Sequence, residues 1–112
     1  MSMPQLNRAL VLEAPERVAD GAGGFTESWS ALGTLWAELR TRGGREARDV
    51  IASVSAVRLR IVVRAAPVGS SARPVAGQRF REGSRIYAIE AVSEQDPLGR
   101  YLTCFAKEEV AL

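Results

Sequence analysis

Residues 10–39 of this 112-residue chain contain four short segments, Leu10-Val-Leu-Glu-Ala-Pro15, Asp20-Gly-Ala-Gly-Gly24, Phe25-Thr-Glu-Ser-Trp29 and Thr34-Leu-Trp-Ala-Glu-Leu39. They predict three strands joined by turns, with Pro15 closing the first strand and the glycines supplying the positive φ of a tight reversal. Along the third strand, Leu35, Ala37 and Leu39 form an apolar face opposite Trp36. We interpret the two tryptophans as core or rim side chains, because each ring can bury a large area. The segment therefore predicts a β-meander.

Further strands are predicted after the meander. Between Val57 and Arg64, apolar residues alternate with mostly basic ones, which indicates a half-buried strand. Residues 66–78 are rich in proline, glycine and serine and predict a long loop. The last two strands, 86–92 and 100–107, are predicted to form a hairpin.

One segment departs from the period of a strand. Within 45–55 the apolar residues have the spacing i, i+3, i+4 and i+7 of one helical face; they are Ala47, Val50, Ile51 and Val54. We interpret this segment as a short helix or a helix-prone loop. Its arginines and flanking glycines suit an element that becomes ordered on assembly.

The fold class that follows is mostly β, a small antiparallel barrel or sandwich of about six strands with one short helix or helix-prone loop. The length fits a single domain over residues 1–112. No apolar run reaches the roughly 18–20 residues of a membrane span, and the first residues lack the features of a signal peptide. We therefore expect a protein that stays in the cytoplasm where it is made.

The residue types argue against an enzyme, a cofactor or a metal site. The chain has no histidine and one cysteine, which removes the usual imidazole base and nitrogen ligands for zinc. Cys104 lies in an apolar strand, and we expect a buried small hydrophobic side chain rather than a reactive thiol. The carboxylates Glu13, Glu27 and Glu38 are interpreted as solvated strand faces.

Charge is unevenly distributed although the net charge is only +2. Residues 1–39 carry two arginines against five carboxylates, and residues 40–64 carry seven arginines against two carboxylates. This pattern predicts one basic face, on which Arg58, Arg60 and Arg64 form a row. Such a row is either a solvated strand face or a surface for acidic partners or DNA.

Several sequence segments, in this order, resemble the head–tail joining (head-closure or stopper) proteins of tailed bacteriophages, most closely those of phage-derived gene transfer agents. The resemblance is carried by "LVLEAP…DGAGGF…W…LWAEL", Gly43-Gly-Arg-Glu46, the strand at 57–64 and "RIYAIEAV…D…GRYLTCF" at 85–105. It implies a small β-barrel with an extended loop toward a central channel. By position, that loop would be 43–55.

The resemblance also implies a role in the particle. Copies would form a homo-oligomeric ring beneath the portal and its adaptor, close the DNA-filled head and present a docking surface to the tail terminator or tail tube. The chain would be in the host cytoplasm during assembly and then in the neck of the particle, away from membranes, with non-specific contact to packaged DNA.

Two groups of residues are candidates for these contacts. The channel-facing, DNA-facing or inter-subunit group consists of Arg45, Arg48, Val50, Ile51, Arg58, Arg60 and Arg64. The adaptor-docking or tail-docking group lies in the predicted loop and consists of Pro67, Gly69, Arg73 and Pro74. Which of 43–55 and 66–78 faces the channel stays open at this point.

Two alternatives remain beside the head-closure interpretation. A tail terminator is a neighbouring neck component, but such proteins are usually longer and more α/β in pattern. An OB-type nucleic-acid-binding barrel would use the arginine row, but aromatics are not interleaved with those arginines in the sequence, as stacking platforms require.

Overall fold

The structure is a computed structural model that describes residues 3–41, 48–51 and 54–111. In these ranges the chain forms seven strands, most of which alternate apolar and polar residues. The strands are β1 (Arg8–Ala19), β2 (Phe25–Thr41), β3 (Arg48–Ile51), β4 (Val54–Arg64), β5 (Arg79–Glu82), β6 (Arg85–Glu94) and β7 (Tyr101–Ala111). No helix occurs in these described ranges. The mostly β class predicted from the sequence is thus confirmed.

The sheet closes on itself as a barrel. Its strands are antiparallel neighbours in the order β2-β1-β5-β6-β7-β4, and β4 pairs back to β2 from Ala37↔Val63 to Thr41↔Leu59. The short strand β3 adds to β4 beside this seam, with Arg48 opposite Val57. Closure removes most of the free sheet edges that would invite uncontrolled pairing.

Side chains from six strands fill the barrel. Leu59, Ile61 and Val63 point inward from β4, as the period of two predicts, and Phe80 and Tyr87 are the largest fully buried side chains. The rest of the buried core consists of Leu10, Leu12, Ala37, Ile89, Leu102, Cys104 and Ala106. Each large side chain contributes roughly 1.5–3 kcal/mol by leaving water, so the filled interior stabilises the closed sheet.

The first forty residues form two strands instead of the predicted three. Phe25 to Thr41 is continuous, and where a turn was expected the register shifts, so that Leu12 faces Gly33 and Glu13 faces Ala31. The extra residue is a β-bulge, which bends a strand without ending it. Pro15 lies within β1 opposite Trp29, beyond the part of β1 that pairs with β5. A proline is tolerated there because the strand has a neighbour on only one side.

The helix predicted for 45–55 is wrong wherever the structure describes that segment. Residues 48–51 and 54–55 are strands, and Ile51 pairs with Val54 in the hairpin of β3 and β4. The backbone N–H and C=O groups of β3 bond to β4. The spacing of apolar residues within the segment does not show that such a strand partner exists. Residues 45–47 and 52–53 lie outside the described residues. The predicted loop at 66–78 and the final hairpin are confirmed.

Candidate assembly surfaces

A two-stranded ribbon extends from one end of the barrel. It consists of residues 14–19 of β1 paired with 25–31 of β2, and we call it the arm. In the antiparallel register Phe25 lies opposite Ala19, and Glu27 lies opposite Arg17. Phe25 is 59 % exposed, and the Arg17 guanidinium lies 4.3 Å from the centre of its ring. The arm thus presents an aromatic side chain to its surroundings, away from the core.

The root of the arm is fixed by a buried carboxylate. Glu13 is 6 % exposed and accepts hydrogen bonds from Arg79 Nε at 2.7 Å and Arg81 Nε at 2.9 Å. Burial raises its pKa, but the hydrogen bonds from Arg81 and Arg79 outweigh burial, so that the pKa is lowered overall. Arg79 also lies 4.0 Å from the ring centre of Trp29. The prediction that Glu13 lies on a solvated face is therefore wrong.

The tip of the arm is closed by Asp20. Its Oδ1 accepts the backbone N–H groups of Ala22 at 2.8 Å and Gly24 at 3.0 Å, and these bonds lower the pKa of the carboxyl. Gly21 and Gly23 have φ values of 80° and 85°, as the predicted reversal requires. The side chain and the two glycines together give the tip a defined turn.

A mostly apolar groove opens on the barrel beside β2. It has a volume of about 660 Å³, and its lining includes Leu6, Leu35, Trp36, Arg64, Ala66 and Ala72. Trp36 is 59 % exposed, so the prediction of a core side chain is wrong for this residue. The groove forms where β2 separates from the chain that follows β4, since the pairing of these strands stops at Ala37↔Val63.

The predicted basic row lies on the outer face of β4. Arg60 and Arg64 are exposed, and their guanidinium carbons lie 5.7 Å from the ring centre of Phe105 and 5.8 Å from that of Tyr101. Arg58 Nη1 donates to Glu90 Oε1 at 3.0 Å. Within the described residues, no carboxylate forms an ion pair with Arg60 or Arg64.

Aromatic rings do accompany the arginine row, although the sequence shows no interleaving. Arg60 lies opposite Phe105 and Arg64 lies opposite Tyr101, because β4 and β7 are paired in register. Tyr101 is buried and Phe105 is half-buried, each with a guanidinium over its ring. The ring of Tyr101 is therefore not open to stack a nucleobase, and that of Phe105 is open only in part.

The loop that follows β4 contains the second group of predicted contact residues. Pro67 and Gly69 are exposed, and the neighbouring Val68 is 86 % exposed. Arg73 is turned inward and donates from Nη1 to the Ala66 carbonyl at 2.9 Å. Pro74 is fully buried. The exposed first half of the loop is thus available for contacts, whereas Pro74 holds the loop to the barrel.

The structure brings only some of the predicted site residues together. Arg58, Arg60 and Arg64 share one face, and Arg64 also lines the groove. Arg48, Val50 and Ile51 lie on β3, and Arg45 lies outside the described residues. Neither the groove nor the exposure of Phe25 was predicted from the sequence. The outward direction of Trp36 was visible in the alternation, but the distant residues that complete the groove were not.

The opposite end of the barrel is closed by ion pairs. Arg85 donates to both carboxylate oxygens of Glu108, at 2.7 and 3.0 Å, and Arg8 Nε donates to Glu82 at 2.8 Å. Tyr87 Oη also donates to Glu82, at 3.2 Å. These side chains are therefore paired with one another within the fold, and they link neighbouring strands at this end of the barrel.

Three further features of the described residues concern metal ligands, membrane-spanning helices and the single cysteine. No cluster of potential metal ligands occurs among them, and they contain no helix that is long and apolar enough to cross a membrane. Cys104 is fully buried, as predicted, and burial raises the pKa of its thiol to about 12.

Comparisons with known proteins agree with this picture. A chain in the virion of a native gene transfer agent (GTA) particle is 53 % identical, with a TM-score of 0.84 over 98 % of this chain and 100 % of that chain. A Shigella flexneri 2a protein known from its solution structure shares the fold, with 20 % identity and a TM-score of 0.67 over 96 % of both chains. No curated protein matches the chain. Residues 1–109 match the profile of phage head completion proteins, and a match of this extent shows that the chain belongs to the phage head completion protein family.

Proposed function

We propose that this chain is a structural subunit of the neck of a phage-like particle of the gene transfer agent type. Copies of it form a ring below the portal and its adaptor, close the DNA-filled head and give the tail a docking surface. The observation that carries the proposal is the 53 % identity, over nearly the whole chain, to a chain of a GTA virion. Membership in the head completion family supports it independently.

The surfaces suit a protein that acts by contact. The arm exposes Phe25 and Val18, the groove exposes Trp36, and the loop exposes Val68. Single contacts of this size are weak, but a closed ring of identical subunits repeats each contact, so that the collar as a whole is stable. The portal or adaptor and the tail terminator or tail tube are the partners for the surfaces that the ring leaves open.

Contact with packaged DNA is the second part of the proposal. Arg60 and Arg64 are exposed without carboxylate partners in the described residues, and they can hold either phosphates or acidic groups of a neighbour. Arginines that face the ring opening would bind phosphates without sequence preference and with steep salt dependence. By position, the 43–55 segment would reach the channel, and the exposed loop around Gly69 would meet the adaptor or tail.

Deletion of the gene in a particle-producing strain tests the proposal. We expect filled heads to lose their DNA and to lack tails, and we expect a plasmid copy to restore both. The measurements are the nuclease-resistant DNA per purified particle and the fraction of tailed particles in electron micrographs. Tailed, nuclease-resistant particles from the deletion strain would contradict the proposal.

A further inference from the structure

We infer that the arm of one copy docks into the groove of the next copy, with Phe25 entering the groove and Glu27 pairing with Arg64. The inference rests on the proposed ring and names the two surfaces that build it. The occupant of the groove is thus a second copy of this chain.

The arm carries the inserted side chains on one face. Antiparallel pairing places Phe25, Ala19, Glu27 and Arg17 on the same face, since directly opposite residues share a side. Glu16 and Val18 lie on the other face. Phe25 and Glu27 are separated by about 7 Å along β2, the repeat of two strand residues. An aromatic side chain and a carboxylate are therefore presented together at a fixed spacing.

The groove offers the matching chemistry. Its lining is apolar apart from Arg64, and its volume of about 660 Å³ holds a phenyl ring and its neighbours. Exposed Trp36 gives the entering ring an aromatic wall. Arg64 lines the groove and is exposed, so a carboxylate two residues from the entering ring comes within reach of it.

The two surfaces carry opposite charges at the proposed contact, Glu27 on the arm and Arg64 at the groove, although Arg17 lies opposite Glu27 within the arm. Among residues 3–41, 48–51 and 54–111, neither Glu16 nor Glu27 of the arm has an ion-pair partner, and the same holds for Arg60 and Arg64. Pairing of the Glu27 carboxylate with Arg64 at the groove edge would fix the orientation of the contact.

The arm cannot fill the groove of its own copy. Phe25 and Trp36 are both in β2, and eleven steps of extended chain separate them by about 35 Å. The root of the arm is fixed by Glu13 and Arg79, so the ribbon does not fold back. Because the arm and the groove are different patches of one chain, the contact is head-to-tail, and such contacts generate rings when the rotation closes.

Cross-linking in assembled particles tests the geometry. The variant with Ala19→Cys and Ala72→Cys places one thiol beside Phe25 and one in the groove. A short bis-maleimide should then give a ladder of multimers on denaturing gels. The matched control has Val18→Cys with Ala72→Cys, where the thiol is on the opposite face of the arm, and should give no ladder. The native Cys104 is fully buried and should not react with the maleimide.

Charge reversal tests the proposed ion pair in the same particles. We expect Glu27→Arg and Arg64→Glu each to lower incorporation of the chain about tenfold, and the double variant to restore most of it. Glu16→Arg, the same change on the opposite face of the arm, should leave incorporation unchanged. Because Arg17 still lies opposite position 27 in the double variant, recovery cannot come from within the arm. Circular dichroism of each purified variant checks that the fold is kept.

The outcomes separate this inference from the proposed function. Particles that contain the chain but give no ladder, or in which Glu27→Arg behaves like Glu16→Arg, would overturn the arm-in-groove contact and leave the head-completion role intact. Absence of the unmodified chain from purified particles would overturn both.

Discussion

Single side chains fix the arm to the barrel. Glu13 is buried between two arginines, and Arg79 links it to Trp29. The carboxylate lies in the first of the segments that carry the family resemblance, but its partners are more than sixty residues away in the chain. The sequence therefore indicated the strand position of Glu13, and only the register of β1 against β5 shows its role.

Replacing Glu13 by glutamine should destabilise the fold. Glu13→Gln removes the negative charge of the carboxylate to which Arg79 and Arg81 donate hydrogen bonds. Because charge-assisted hydrogen bonds are lost at a buried site, the free energy of unfolding should fall by about 1–2 kcal/mol. Urea unfolding measures the change. Glu16→Gln, at an exposed position of the same strand, is the control and should stay within about 0.5 kcal/mol. Equal effects of the two substitutions would show that the hydrogen bonds between Glu13 and the two arginines contribute nothing to stability.

Low pH should destabilise the fold through glutamates whose pKa is lowered in the folded state. The hydrogen bond from Arg8 lowers the pKa of Glu82, and the pKa values of Glu13 and Glu38 are lowered as well. A carboxyl whose folded pKa lies below its unfolded value, about 4.3 for glutamate, stabilises the fold above that value. We therefore expect the free energy of unfolding to hold near neutral pH and to fall as the pH drops through the folded pKa values. Urea titrations at several values between about pH 7 and about pH 3 measure this, and a rise in stability on acidification would contradict it.

At the scale of elements, the alternation of apolar and polar residues correctly predicted the strands that have one buried face. The residue pattern gave the wrong secondary structure where a segment is held by pairing to the edge of the sheet. β4 and β7 follow the predicted period because their inner faces fill the barrel. The 45–55 segment has apolar residues at helical spacing, yet Ile51 and Val54 are paired strand residues. The groove could not be predicted from the sequence, since Leu6, Trp36 and Ala72 come together only once the barrel closes.

The bulge in β2 depends on one glycine. Gly33 has a φ of 153°, which side-chain-bearing residues rarely adopt, although a Cβ there would meet no atom within 4 Å. Gly33→Ala should therefore cost about 1 kcal/mol through backbone strain and not through a clash. Chemical denaturation measures this, with Ser28→Ala in the same strand as the control. An unchanged midpoint for Gly33→Ala would show that the backbone relaxes freely at the bulge.

At the scale of the whole molecule, the barrel is closed at one end by ion pairs and carries the arm at the other. Adjacent residues of β7 allow a clean test of the closed end. Glu108 is 8 % exposed and bonds Arg85 twice, whereas Glu109 is exposed and pairs with Lys107 at 3.2 Å. Glu108→Gln should lower the free energy of unfolding by about 1–3 kcal/mol, and Glu109→Gln by less than about 0.5 kcal/mol.

Thermal unfolding followed by circular dichroism compares the two variants under one set of conditions. The difference should persist at high salt, because the carboxylate of Glu108 is nearly buried and is screened less than the exposed carboxylate of Glu109. A larger loss for Glu109→Gln would show that the closed end does not depend on Arg85.

The filled interior has a mechanical consequence. Phe80, Tyr87 and their neighbours leave no passage through a single subunit, and interiors packed in this way resist compression. A genome pressing on such a subunit would displace it as a rigid spacer. In the proposed ring, any yielding under pressure would then occur at the contacts between neighbouring copies, so those contacts would set the strength of the closure.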